Sequence, residues 1–397
     1  MFLKTMARPR TPKIKVLAAA ALRAEGWSLK QIHAHLRVPL STLARSLKDM
    51  EGKYIVTRAT FLREKLTPAE RAELPRYLPH RDMMDELRAF TERHDVEMPD
   101  IRVLSTPTRA TTARAWAERL KQFGSEAAPY LHGLLRQARI CGVSWGETVM
   151  SVVESLPAAL PGAPTRRRAI TFVPVVGDVI EKEPTKASAS NLAERLDERM
   201  NGDYQHAHSS SLRAVPAVIS PDHNATNAEA IREFVNRGAG FRKVFGAPRQ
   251  GGGPVPLIDR LEMLLTSVGP VDRPLGWLGA GLLNAVGLPR AQMKDLIVGD
   301  VSGVLLRRQE GGEEFARRFD RIRACWTGIR EKHIEACQQR ARRSGKPGVV
   351  VVALGATKAP TVAELIRRGL CRNIFVDQEL FDAMSKMLAS DRGVRFR

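Results

Sequence analysis

A chain of 397 residues, 43% hydrophobic and 27% charged, is too long for one ordinary core and too apolar to be disordered. Its net charge of +20 favours a polyanionic partner, because each neutralised phosphate releases condensed counterions. The four scattered cysteines lack CxxC or Cys/His spacing, which argues against zinc or a disulfide framework, and LGAGLLNAVGL (279–289) is too short to span a bilayer.

The charge is concentrated at the start. Residues 1–60 carry twelve Lys and Arg against Glu25, Asp49 and Glu51. The opening MFLKTMARPRTPKIKV is basic and runs into an amphipathic helix, Ile14 to Ala24, not into the apolar core of a signal peptide, so a cytoplasmic chain is expected. Gly26 ends this helix, and Trp27 is a candidate core plug. Ser28 is placed to cap LKQIHAHL (29–36), which carries Ile32 and Leu36 on one face. Pro39 forbids helical continuation through RVPL (37–40). Ser41 then caps STLARSLKDM (41–50), with Leu43, Leu47 and Met50 at helical spacing. Gly52 stops that helix, and KYIVTRATF (53–61) alternates like a short strand or wing.

Helix, tight turn and Ser-capped helix with basic residues outward is the pattern of a helix-turn-helix. Its second helix would lie in a major groove roughly 12 Å wide. Ser41 and Thr42 would reach phosphate or base edges, with Lys30, Arg45 and Lys48 on the exposed side. The plain alternative is a helical hairpin with solvated Lys and Arg; the local charge bias favours double-stranded DNA. Residues 62–95 are charged and helical but broken by Pro68, Pro75 and Pro79. The spacing of Met84, Leu87 and Phe90 suggests a linker helix, either a dimer seam or a simple connector.

Beyond residue 100 the pattern alternates between strand and helix. IRVLST (101–106) predicts a strand, and 113–135 a helix in one or two pieces. Residues 138–157 give strand, glycine loop and helix; RAITFVPVVGD (168–178) is another strand, followed by a helix over 190–200. PLIDRLEMLLTSVGP (256–270) supplies helix and strand, and KDLIVGDVSGVLL (294–306) a strand pair. GVVVVALG (348–355), TVAELIRRGL (361–370) and CRNIFVDQE (371–379) read as strand, helix and strand. Such alternation predicts a mostly parallel sheet covered on both faces, with ligands at the carboxyl ends of its strands.

These stretches resemble, in order, the SorC-type sugar-binding transcriptional regulators. The head SLKQIHAHLRVPLSTLARSLKDMEGKYI is similar to the family's helix-turn-helix, and GVSWGETVMSVVESLP (142–157) to the opening of its effector domain. IVGDVSGVLL (297–306) with WTGI (326–329) resembles its late strands. VVVALGATKAPTVAELIRRGLCRNIFVDQELFDAM (350–384) resembles the closing segment, in which a Lys follows one strand and an Asp ends the next. Residues 53–80 and 201–256 depart from the family pattern. The resemblance implies an α/β fold: an N-terminal helix-turn-helix plus a large, mostly parallel three-layer effector domain related to sugar-phosphate isomerases. It also implies an operator, a sugar or phosphosugar effector, and a homodimer or homotetramer. No cofactor and no metal are expected.

The candidate effector residues follow. Ser144, Gly146, Glu147 and Thr148 leave a strand and open a helix, where exposed amides and the positive helix end suit an anion. Ser144 and Thr148 offer hydroxyls, and Gly146 admits close backbone approach. Glu147 complicates this, because a carboxylate there already complements the dipole and would repel phosphate; a hydroxyl-rich neutral ligand is favoured, or Glu147 is simply a good helix-start residue. The resemblance puts Lys358 at the ligand; otherwise it is a solvated post-strand Lys. Asp377 ends the last strand in the pocket zone or at a turn, Asp178 ends a strand similarly, and Gly269 lines the pocket or makes a turn. His206 and His208 have a spacing that suits neither a helical face nor a metal site without a third ligand, and read as surface loop.

The sequence thus predicts a head (1–60), linker helices (61–95) and an effector domain (96–397) of a ligand-controlled regulator. A rival is an isomerase or deaminase with an appended basic domain, using Glu147 or Asp178 as base. A third reading is a DNA-organising protein whose large domain has lost its ligand.

Overall fold

The computed structural model describes residues 12–24, 27–51, 81–104, 106, 112–158, 169–178, 186–202, 211–213, 215–219, 225–246, 255–270, 272, 294–308 and 313–390. The expected wing at 53–61 and the His206/His208 pair lie outside them. The chain divides into two compact units, Met1–Glu86 and Leu87–Arg397. No helix among the described residues is long and apolar enough to cross a membrane.

Among the described residues the first unit opens with the helices α1 (Lys13–Ala24), α2 (Leu29–Leu36) and α3 (Leu40–Glu51). Ile14, Leu17, Ala18 and Leu22 of α1 pack with Ile32, Leu36, Val38 and Leu43, and Trp27 closes the cluster as a half-buried plug. Ser28 and Gln31 form a capping box that satisfies two orphan amides: Gln31 N donates to Ser28 Oγ at 3.3 Å and Ser28 N donates to Gln31 Oε1 at 2.8 Å. Arg37, at φ 52, turns the chain out of α2. The next helix begins at Leu40, two residues earlier than Ser41 capping would require. Pro39 supplies the cap carbonyl, accepting from Thr42 N and Leu43 N at 2.9 Å, so Ser41 sits inside the first turn.

A fourth helix, α4 (Arg81–Arg93), spans the division; Leu87 and Phe90 are buried and Met84 is half-buried. The large unit is mixed α/β. Its strands are β1 (Asp100–Leu104), β2 (Ile140–Val143), β3 (Thr171–Pro174), β4 (Met263–Thr266), β8 (Gly348–Ala353) and β9 (Asn373–Asp377), forming one parallel sheet in the order β1-β9-β8-β4-β2-β3. Every residue of β2, β4, β8 and β9 is buried. Burial without alternation means both faces are covered, and the uninterrupted GVVVVA of β8 encodes this directly. A second sheet of β5 (Val268–Pro270), β6 (Ile297–Val301) and β7 (Val304–Arg307) is antiparallel.

From β1 through β2 to β3 the chain moves toward one edge, and from β4 through β8 to β9 it moves back. Right-handed crossovers then put the connecting helices on opposite faces. Helices α5 (Ala113–Leu135) and α6 (Glu147–Ser155) pack on each other in the first run, and Gly124 lets them touch, because a Cβ there would strike the Ser151 carbonyl. The α5 helix is one continuous element despite Pro129. In the return run, α11 (Glu331–Ser344) lies on β4 and β8. The remaining helices among the described residues are α7 (Ala189–Asn201), α8 (Ala225–Arg237), α9 (Ala239–Phe245), α10 (Glu313–Cys325), α12 (Ala359–Arg367) and α13 (Gln378–Ser390).

Candidate functional site

The chain reverses its direction across the sheet between β2 and β4. That is where open α/β sheets gather ligands, outside the carboxyl ends of the strands. At this point Ser144 leaves β2 with its amide bonded to Leu265 O at 3.0 Å. Its side chain is 1% exposed, and its Oγ has no protein partner. A buried hydroxyl without a partner carries a desolvation cost that a ligand can relieve.

Two residues on, Gly146 takes φ +119, a conformation that side chains disfavour, and opens α6 as an N-cap with no side-chain hydrogen bond. Its amide is spent on Ala187 O, 3.0 Å away. Glu147 follows in the first turn, exposed, with its carboxylate accepting from Trp116 Nε1 at 3.3 Å. Thr148 is buried at 4% exposure beneath it.

The facing side is built by β4, β8 and β9. Lys358 ends a short 3-10 turn after β8 and donates from Nζ to Ser267 Oγ at 3.3 Å. Burial pulls its pKa down from 10.5 to about 8, while Asp300, Asp377 and Glu147 oppose that fall. Asp300 is 3% exposed; its Oδ2 accepts from Gly303 N at 3.2 Å in the turn between β6 and β7. In that same turn Ser302 Oγ donates to Thr266 Oγ1 at 2.8 Å.

The structure brings Ser144, Gly146, Glu147 and Thr148 together where the loop after β2 enters α6, with Lys358 within electrostatic reach of Glu147. The other sequence candidates are engaged differently. Asp377 is fully buried and saturated: Arg119 pairs with it, and its Oδ1 accepts from Gly355 N and Leu380 N, both at 3.1 Å. Arg119 also reaches Glu379 at 2.6 Å. Gly269 lies in β5 against the Asp300 carboxylate, where a Cβ would collide with it. Asp178 stands beyond β3, bridged to Pro216, with a buried and unpartnered Oδ1. Burial raises its carboxyl pKa, opposed by a hydrogen bond to Ser188 and by Arg213.

Sequence reasoning missed Trp116, Arg119, Ser267, Ser302 and Trp326. Trp326 meets Trp145 edge-on, with ring centroids 5.6 Å apart, and anchors through Nε1 to Ile329 O at 3.1 Å. Beside it opens a cavity of about 620 Å³, lined by Val304, Leu305, Phe319, Ile322 and Ile329. Sequence neighbours give no signal for such contacts; only the fold assembles them. The four cysteines are buried and form no disulfide, and burial pushes the Cys337 and Cys371 thiols up to about 12, which makes them poor nucleophiles.

In the first unit, α3 turns Ser41, Arg45 and Lys48 to solvent, with Thr42 half-exposed; Lys30 is exposed on α2. Leu43 is buried on the opposite side of α3.

Residues 97–231 match the family model described as "Putative sugar-binding domain". The crystal structure of the full-length sorbitol operon regulator SorC from Klebsiella pneumoniae superposes with a TM-score of 0.50 at 17% identity, covering 94% of this chain and 98% of that one. A domain of a possible sugar-binding transcriptional regulator from Arthrobacter aurescens gives 0.51 at 18% identity, covering 76% of this chain and 97% of that one. No curated protein sequence matches significantly. The domain match and these fold likenesses place the architecture of the large unit with that of sugar-binding transcriptional regulators.

Proposed function

We propose that the chain is a cytoplasmic, DNA-binding transcriptional regulator whose large unit senses a sugar or phosphosugar. The carrying observation is the buried, unpartnered Ser144 hydroxyl at the sheet's reversal point, beside the open start of α6 and facing strand ends that carry Lys358. Residues 1–60 act as the DNA-binding head, 61–95 as a linker and 96–397 as the sensor. Lys30, Ser41, Thr42, Arg45 and Lys48 contact a double-stranded operator. Ser144, Gly146, Glu147, Thr148 and Lys358 contact the effector, and Asp178, Asp377 and Gly269 shape its surroundings. A homodimer or homotetramer couples the two, because ligand that binds one subunit arrangement better shifts the population toward it. The sorbitol operon regulator, with the same fold, supports this reading.

The test is a gel shift of the purified chain on DNA from upstream of its own gene, with unrelated competitor, at about physiological salt. A selective shift that a sugar alters supports the regulator. Non-specific binding that vanishes with modest salt overturns it. The buried, unpartnered Asp178 Oδ1, on a carboxyl whose pKa burial raises, favours one rival, an isomerase-like enzyme with Asp178 as general base. Turnover of a sugar phosphate that Asp178→Asn abolishes would establish that reading instead.

A further inference from the structure

We propose that the strand-end site takes an uncharged, hydroxyl-rich ligand, a sugar or polyol without phosphate, and that Glu147, held in place by Trp116, enforces this choice. The inference rests on the effector-binding reading above.

The positive end of a helix favours an anion. Here its first residue is a carboxylate, and that carboxylate is held: the Trp116 indole N–H on α5 binds Glu147 Oε2 at 3.3 Å. The facing side gives a phosphate little compensation. Lys358 lies in the field of Asp300 and Glu147, two carboxylates to one ammonium, while Asp377 is already spent on Arg119. The charge of Arg119 is taken up by Asp377 and Glu379. A phosphate would therefore enter a ring in which carboxylates outnumber cations, whereas a polyol finds groups that match hydroxyls. Carboxylate oxygens accept from vicinal hydroxyls, and the Ser144 Oγ, buried and without a partner, can donate or accept. The Lys358 ammonium and Ser267 hydroxyl complete a neutral-ligand set. Glu147 thus acts as the specificity residue and Trp116 as its positioning residue.

The experiment measures binding of the full chain, by thermal shift and calorimetry at constant ionic strength, to matched pairs: glucose, fructose and glucitol, each beside its 6-phosphate. Inorganic phosphate alone serves as a further probe. The expected result is that at least one neutral member binds and its phosphate binds about tenfold or more weakly. Glu147→Gln should shrink that gap and admit inorganic phosphate. Trp116→Phe, which keeps the ring and loses the N–H, should shrink it partway. A phosphate that binds wild type more tightly than its neutral partner overturns the inference while leaving the effector reading intact. So does a gap unchanged in Glu147→Gln. No response to any member or to phosphate overturns both.

Discussion

Arg119 and Asp377 are 258 positions apart in the chain, both almost wholly buried, and each accounts for the other. Removing one partner of such a pair leaves an uncompensated charge in the interior. Arg119→Met should therefore destabilise the large unit by about 3–5 kcal/mol, read as a shift in its urea unfolding midpoint. Lys358 behaves in the opposite sense. Burial lowers its pKa to about 8, so between there and its ordinary 10.5 the unfolded chain binds the extra proton and stability rises with pH. Below about 8 the burial penalty is present in full. Lys358→Met should flatten that rise, and urea midpoints at about pH 7 and about pH 9.5, compared with wild type, measure it. An equal slope in both proteins would show that the amine is solvated. Gly303, at φ +79 with the Trp326 ring against its Cα, admits no side chain. That tight turn presents Asp300 and Ser302 to the strand ends.

At the scale of elements, legibility follows the physics of burial. The strand β8 and the helix α12 were plain in the sequence, because an unbroken apolar run and a 3.6-residue stripe each have one structural solution. The capped start of α2 was equally plain: Ser28 and Gln31 satisfy each other as their spacing implies. The pair α8 and α9 was not. Ile231, Phe234 and Val235 are set among charged residues, and Phe234 ends 74% exposed, so no stripe stands out. The site was half legible. Residues 144–148 lie on one segment and announce themselves, and Gly299-Asp300 reads as a strand end like Asp377; Ser267 and Trp116 reach the site from other elements, and no local pattern encodes that. Predictions for the head belong at this scale. Ser28→Ala removes one side of the capping box and should cost about 1 kcal/mol of thermal stability in the helical unit. On α3, Arg45→Ala should weaken operator binding by about 1–3 kcal/mol and relax sequence preference if Arg45 reads a base. Lys48→Ala should weaken binding to all sequences alike and flatten the salt dependence. Unchanged gel shifts in both would place DNA on another face.

For the whole molecule, the proposed coupling between effector and operator would be reciprocal. A sugar that weakens operator binding by some factor must itself bind more weakly to the DNA-bound protein by the same factor. Calorimetry with and without operator duplex measures it, and unequal factors would rule out a simple two-site linkage. The same sugar should raise the melting temperature, since it binds only the folded state. The indole of Trp145, on the loop that would receive this ligand, meets the indole of Trp326 edge-on at 5.6 Å. Two such chromophores so close exchange excitation and quench each other according to their separation. The protein therefore carries a built-in optical gauge: a change in emission on adding a sugar, lost in Trp145→Phe and kept in Trp116→Phe, would report movement of that loop in real time, without any label.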